Sequence, residues 1–314
     1  MDLIIGWPGQ DSIYLYKLLS ENGRCVDRIS RNSIIKFDGT ISEYQNTRDY
    51  LTGDFEKYDR IFFLQAYHQP ISSRSRAGNF FNSININTQI VAEIIDYIAT
   101  TPAKCPNEII YASSRLCLTS SSSKRYLIPF ELSAYTASKV CTEILLESFS
   151  RNLSVKSTIF YLYNHESRYR KVNFFFPKFY GEIQKSGTSE FRINPYNLVD
   201  IGHSSEFAKS ILSFLLSNDR QLVERCEIGT GKLVTLNSIL EGMVSTLPEE
   251  SKENYQNMID KSCKQFENHQ YANLLKLKQH SNFIPSLHGY ELGKVLGEEM
   301  QSKNEILSAK QKYD

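Results

Sequence analysis

The 314-residue chain is 41% hydrophobic and 23% charged, enough for a well-buried core in one large domain or two unequal ones. Its 36 Lys and Arg balance 35 Asp and Glu to a formal charge of +1 without a block of like charge. This argues against a nucleic-acid tail or a polybasic membrane anchor and leaves any bound polyanion small.

Six cysteines (Cys25, Cys105, Cys117, Cys141, Cys226, Cys263) form no CxxC pair and no zinc-like spacing, so reduced, mostly buried thiols and no metal site are expected. The chain opens MDLIIG with no basic region before its apolar run, and it has no stretch of about 18 apolar residues. A cytoplasmic protein with neither leader nor membrane span is the expectation.

In chain order, short apolar runs alternate with helical patterns as far as about residue 165. The runs are DLIIG (2–6), CVDRIS (25–30), IIKF (34–37), RIFFLQA (60–66), NEIIYAS (107–113) and KSTIFYLYN (156–164). Between them, INTQIVAEIIDYI and VCTEILLESF repeat apolar residues at spacings of three and four. Strands apolar throughout suit a parallel sheet covered on both faces. The pattern predicts an α/β fold, a Rossmann-type doubly wound parallel sheet. Later the rhythm weakens through FFFPKFYGEIQKSG, a strand-like EFRIN, DIGHSSEFAKSILSFLLS, CEIGTG and several polar helices. The expected division is a Rossmann domain over 1–165, with part of 200–235 returning to it, and a smaller, mixed, mostly helical region over 166–314. SSSSK (120–124) reads as a solvated loop.

Gly6, Gly9 and Ser12 stand at GxxGxxS spacing between the first strand and the first helix. Glycine there lets the main chain bend and approach a pyrophosphate whose charge a helix N-terminus stabilises; the same spacing also serves a plain turn. After the second strand, DRISRNS carries Arg28 and Arg31 where an acidic residue would bond a ribose 2′-hydroxyl. Guanidinium suits a 2′-phosphate, so NADP is favoured over NAD, unless these are surface arginines. Asp38 either bonds the adenine amine or caps the next turn.

In SAYTASKV (133–140), Tyr135 and Lys139 fall four residues apart on one helical face. An ammonium beside a phenol lowers the phenol's pKa from about 10 toward neutrality, which makes a base for a sugar hydroxyl. Taken alone, the pair also fits two residues on an exposed face. It follows the glycine turn and the strand ending NEIIYASS in the order and spacing of the extended short-chain dehydrogenase/reductases, which the chain resembles. More specifically, GQD (9–11), FYLYNHESRYR (160–170) and DIGHSSEFAKSI (200–211) resemble the GDP-mannose 4,6-dehydratase family over residues 1 to about 240.

That resemblance implies a Rossmann domain with a small substrate domain, bound NADP, a nucleotide-activated hexose as substrate with a GDP-sugar favoured, and a homodimer or homotetramer. It places Ser113 on the hydroxyl that bonds the sugar O4, Tyr135 on the base, and Lys139 on its activator and ribose ligand. Gln10 and Asp11 join the cofactor turn, Leu64 and Ala66 line the cofactor trough, and Asn85 lies on the helix beneath it. Asn164, Arg170 and Lys178 fall on substrate positions, with Ser114 and Arg115 beside the active hydroxyl. His165, Glu166 and His203 are expected to brace structure.

The chain also departs from that family. Arg115 stands where the dehydratases carry the glutamate that removes the C5 proton, and an arginine with a pKa above about 12 is no base at neutral pH. Val199 replaces an arginine, the loop between the second and third strands is short, and the region beyond about 240 lacks the later substrate-domain pattern. Three readings follow: NADP-dependent oxidation, reduction or epimerisation at hexose C4; true dehydration, with Glu131 as a substitute carboxylate; or a catalytically silent cofactor-binding subunit. The helices INTQIVAEIIDYI and that beginning at Tyr135 carry apolar faces suited to a dimer bundle in this family or to covering the sheet.

Overall fold

A computed structural model describes residues 1–30, 33–43, 55–67, 76–101, 105–118, 133–185, 191–260, 262–263 and 270–311. The chain divides into two compact units. One comprises Met1–Leu162, Ile211–Glu227 and Gln279–Asn282; the other comprises Tyr163–Ser210, Ile228–Lys278 and Phe283–Asp314. Arg31, Glu131 and the SSSSK segment lie outside the described residues.

The first elements are β1 (Asp2–Ile5), α1 (Gln10–Glu21), β2 (Val26–Ile29), β3 (Ser33–Ile35), β4 (Ile41–Glu43) and β5 (Arg60–Phe63). Next come α2 (Arg76–Ile84), a π turn (Asn85–Gln89), α3 (Ile90–Thr100), β6 (Glu108–Ser114), α4 (Ala134–Leu153) and β7 (Lys156–Leu162). They are followed by β8 (Asn164–Glu166), α5 (Phe175–Ile183), β9 (Leu198–Val199), β10 (Ile201–His203), α6 (Ser204–Leu215), β11 (Val223–Ile228) and β12 (Val234–Thr235). The chain ends with α7 (Leu236–Ser245), α8 (Glu249–Met258), α9 (Leu275–His280) and α10 (Gly289–Gln311).

The first unit is organised by an eight-stranded sheet in the order β11-β7-β6-β5-β1-β2-β3-β4. β1 pairs in parallel with β2 and β5, β5 with β6, and β6 with β7. Alternate strand residues explain the continuous apolar runs. Leu3, Ile5, Ile61, Phe63, Ile109, Tyr111, Ile159 and Tyr161 join one core cluster with Val91, Ile94 and Ile98 of α3 and Val140, Leu146 and Phe149 of α4. Residues of opposite parity, such as Ile4, Phe62, Ile110 and Phe160, are equally buried outside that cluster. The run at 34–37 is an antiparallel addition rather than a parallel strand: β3 pairs with β2 and β4 with β3. Expected strand EFRIN reduces to an isolated bridge between Ile193 and Ile259.

The N-terminal ends of the central strands are tied by ion pairs. Asp2, with its side chain fully buried, accepts from Arg24 and Arg60. Glu108 of β6 pairs with Arg220 and also accepts from Thr158 of β7 at 2.6 Å.

The chain leaves β1 for β2 on one side and crosses to β5 on the other, so the order reverses at β1 and β5. Ligands in such sheets bind at the C-terminal strand ends beside this reversal. Here Leu64 N bonds Ile5 O at 2.9 Å, while Gly6 N and Trp7 N bond Ile29 O at 3.1 and 3.0 Å. Gly6 has φ +110°, and a Cβ added to it would lie 2.5 Å from Gln65 N. Two main chains therefore meet where a side chain cannot fit.

The second unit has its own core, in which α5, α7, α8 and α10 contribute Phe179, Ile239, Leu240, Met243, Tyr255, Leu292 and Leu296. Helices α7 and α10 approach closely because Gly242 and Gly293 leave room for the opposing main chain. β8 pairs in parallel with β10, and β9 antiparallel with β12. Among the described residues no helix is long and apolar enough to cross a membrane.

Replacing Gly6 by Ala introduces both a left-handed strain and a collision with Gln65. Gly6→Ala is expected to cost at least about 2 kcal/mol in urea unfolding, whereas Gly23→Ala, also at positive φ but with open space around it, is expected to cost about 1 kcal/mol.

Candidate active site

The β1–α1 turn is stitched by its own atoms. Gly9 N bonds Gly6 O at 3.0 Å, and the buried Ser12 donates its Oγ to Gly9 O at 2.8 Å, with Gly6 O at 3.2 Å. The small hydroxyl at the third position of the motif thus locks the turn. Gly9 is the N-cap of α1 and offers no side-chain cap; the first bond of the helix runs from Ile13 N to Gly9 O. The amides before it belong to the open end of a twelve-residue helix, where an anion is favoured. Gln10 is buried under the turn and Asp11 half-buried.

Arg28, near the C-terminal end of β2, places its guanidinium 4.2 Å from the Tyr16 ring centroid and 5.0 Å from that of Trp7. The rings themselves meet edge-on at 5.4 Å. Asp38 is exposed and accepts from Thr40 N at 2.9 Å, and that bond holds its carboxyl below the ordinary carboxylate value.

Helix α4 begins at Ser133, whose Oγ accepts from Thr136 N at 3.1 Å. Tyr135 occupies the first turn, half-buried, and Lys139 lies one turn on and 1% exposed. The Lys139 ammonium donates to Ala112 O at 2.7 Å and Gln65 O at 3.2 Å, at the C-terminal ends of β6 and β5, and lies 4.7 Å from the Tyr111 ring centroid. Burial pushes it down to about 8, opposed by the charges of Glu143 and Asp11. Of its three N–H donors two are used among the described residues.

The segment after β5 is clamped as well. Tyr67 N bonds Asn87 Oδ1 at 2.7 Å, and Asn87 Nδ2 bonds Ser138 Oγ at 3.0 Å. Thr88 Oγ1 reaches Ser138 O at 2.8 Å. Asn87 is fully buried, whereas Asn85 is half-buried. Leu64 is half-buried and Ala66 exposed beside it.

Ser113, expected on the substrate hydroxyl, lies buried. Strand alternation places it with Tyr111 and Ile109 on the face covered by α4, 4% exposed, and its Oγ donates to Glu143. The hydroxyl expected on a substrate is committed to the core. Glu143 accepts on its second oxygen from Tyr161 at 2.8 Å, and burial raises its pKa above the ordinary value. It stands four residues beyond Lys139, so Tyr135, Lys139 and Glu143 form one ladder along α4. The i, i+4 spacing was readable in sequence, but nothing local marked the carboxylate. Ser114, on the opposite face of β6, is half-buried and accepts from Leu116 N at 3.3 Å. Arg115 heads the following 3₁₀ turn, half-buried; its carbonyl accepts from Leu118 N at 3.0 Å, while its guanidinium has no hydrogen bond or ion pair among the described residues.

The remaining expected positions belong to the second unit. Arg170 pairs with Glu166 at 2.8 Å and covers the Phe174 ring at 4.2 Å. Lys178 is exposed, 5.6 Å from the Phe191 centroid, and Asn164 begins β8 half-buried. His165 Nδ1 lies 2.7 Å from Tyr163 O, and His203 joins Ser205 and Glu299. Asp200 of the DIGH run accepts from Thr230 N and Oγ1, Gly231 N and Ala272 N, all within 3.0 Å. Val199 is half-buried in β9. Among the described residues no group of His, Cys, Asp and Glu is arranged to hold a metal ion.

The first unit thus fits a dinucleotide. A turn bounded by two glycines leads into a helix N-terminus with no side-chain cap, Gly6 leaves room at the strand reversal, and among the described residues a buried ammonium retains one donor at the adjacent strand ends. The family described as NAD dependent epimerase/dehydratase matches residues 3–229. No curated protein sequence matches the chain. Solved structures share the fold at low identity. MoeE5 in complex with UDP-glucose and NAD superposes with a TM-score of 0.73 at 15% identity, covering 96% of this chain and 99% of that one. UDP-glucuronic acid 4-epimerase from Bacillus cereus with NAD gives 0.72 at 13%, covering 96% and 97%. RMD from Pseudomonas aeruginosa complexed with NADPH gives 0.71 at 12%, covering 96% and 99%.

The low Lys139 pKa has a signed consequence. Folding disfavours the charged form, so the penalty is full below about 8 and is relieved as pH rises toward the unfolded value of 10.5. Urea midpoints measured across this window are expected to move in favour of the native chain relative to Lys139→Met as pH rises. In Glu143→Gln the same rise begins at lower pH, because a carboxylate that keeps the ammonium charged is gone.

Proposed function

The chain belongs to the NAD dependent epimerase/dehydratase family, and from that premise we propose that it performs hydride chemistry at C4 of a nucleotide-activated hexose. One observation carries the reading: the Lys139 ammonium, one turn beyond Tyr135, is bonded to the ends of β5 and β6 beside the Gly6 turn. When bound, the nicotinamide exchanges a hydride with the sugar carbon. Tyr135 moves the proton of the hydroxyl on that carbon, and the Lys139 charge favours its ionised phenol. Ser114, rather than the committed Ser113, orients the hydroxyl. The remaining Lys139 donor holds the cofactor's ribose, while Gly6, Gly9, Gln10 and Asp11 form the diphosphate turn with Leu64 and Ala66 beside it.

Counted from either serine, the position that supplies the dehydratase carboxylate holds Arg115 or Leu116, neither of them an acid, so the reading is oxidation, reduction or epimerisation at C4 rather than loss of water. Arg28, held against two rings at the end of β2, supports NADP over NAD through a 2′-phosphate. The NHES and DIGH runs support a GDP-sugar, with Asn164, Arg170 and Lys178 on its nucleotide side; UDP-sugars, bound by structures of the same fold, are the competing substrates. A cytoplasmic homodimer or homotetramer completes the proposal, supported by Phe80 and Phe81 of α2 and Ile144 of α4, at 54%, 69% and 46% exposure. Arg115 favours one second reading, a cofactor-binding subunit without catalysis.

The test is a panel of GDP-, UDP-, CDP- and dTDP-hexoses with NADP or NAD, followed by the reduced-nicotinamide absorbance and product mass. At least one sugar is expected to turn over with retention of its oxygen atoms. Release of water would overturn the C4 reading, and tight cofactor binding without turnover would establish the silent subunit. Tyr135→Phe is expected to lower kcat by roughly a hundredfold or more. Ser114→Ala is expected to lower kcat by roughly tenfold or more, whereas Ser113→Ala chiefly lowers stability.

A further inference from the structure

We infer that the side-chain amide of Gln65 is a ligand of the nicotinamide riboside half of the bound dinucleotide. The inference rests on the proposed reading that such a cofactor lies over the ends of β1 and β5. Gln65 is 8% exposed, yet among the described residues neither Oε1 nor Nε2 has a hydrogen-bond partner. Asn87, a buried amide of the same unit, behaves differently and uses both Oδ1 and Nδ2. The buried carboxylates Asp27 and Glu143 likewise accept on both oxygens. An orphaned buried amide is a cost that a folded protein rarely keeps without a use.

The main chain of Gln65 is held in place. Its carbonyl accepts from Lys139, its N–H faces Gly6, and the flanking Leu64 and Tyr67 are tied to Ile5 and Asn87. The residue therefore stands at the meeting of the glycine turn and the buried ammonium.

The chemistry of an amide selects the ligand group. Satisfying both ends takes one donor and one acceptor. Phosphate oxygens accept only and would leave Oε1 unpaired. Ribose hydroxyls and a carboxamide each donate and accept, and both belong to the nicotinamide riboside.

The experiment compares Gln65→Met, which keeps the length and removes the polar atoms, with Gln65→Ala. Two quantities are read: the thermal midpoint of the protein without cofactor, and Kd for NADPH, NADH and adenosine 2′,5′-bisphosphate, which lacks the nicotinamide riboside. Gln65→Met is expected to melt higher than the native chain and to bind the preferred dinucleotide about tenfold more weakly, with bisphosphate affinity unchanged. Gln65→Ala is expected to weaken dinucleotide binding in the same way. Unchanged or tighter dinucleotide binding by both variants, beside a native chain that binds, would overturn the role of Gln65 alone. A lower midpoint for Gln65→Met would overturn it too, by showing the amide already satisfied within the fold. A native chain that binds neither dinucleotide would remove the functional reading and this inference together.

Discussion

The buried charge of Lys139 constrains everything around it. An ammonium removed from water is tolerated only where dipoles replace the lost hydration, and here two strand-end carbonyls and the Tyr111 ring do so. The carbonyls belong to neighbouring strands, so a single side chain joins β5 and β6 to α4. Asn87 and Thr88 extend the joint to Ser138 on the same helix. The position of Tyr135 follows, because the first turn of α4 cannot shift without breaking those bonds.

The two edges of the central sheet are built on opposite terms. At the N-terminal ends, Asp2, Asp59 and Glu108 balance Arg24, Arg60 and Arg220 in ion pairs. At the C-terminal ends, polar capacity is left over among the described residues: one donor of Lys139, both ends of the Gln65 amide and the Arg115 guanidinium. One set of strand ends is closed by pairing, and the other retains groups that a ligand could satisfy. This asymmetry locates the candidate site without reference to any motif.

In the second unit, the residues that carried the most specific resemblance act largely as braces. Asp200 gathers four donors from the loop at Thr230 and Gly231 and from Ala272, and His203 reaches Glu299 of α10. Such runs were conspicuous in the sequence because buried polar hubs need specific side chains, as catalytic groups do. Their visibility reported chemistry of either kind.

The sequence by itself determined the parallel strands, the β1–α1 turn and the Tyr135–Lys139 face, because period, positive-φ glycine and i, i+4 spacing are properties of short segments. β4 went unread because its three exposed residues bury nothing and so leave no apolar pattern. Only the tertiary structure showed that Ser113 faces the core and Ser114 the other side of β6. Adjacent strand residues face opposite sides, and the side that is core depends on where α4 packs and what it brings, here Glu143. It alone also placed Asn87 and isolated Gln65, since whether a polar group is paired or orphaned depends on neighbours far away in the chain.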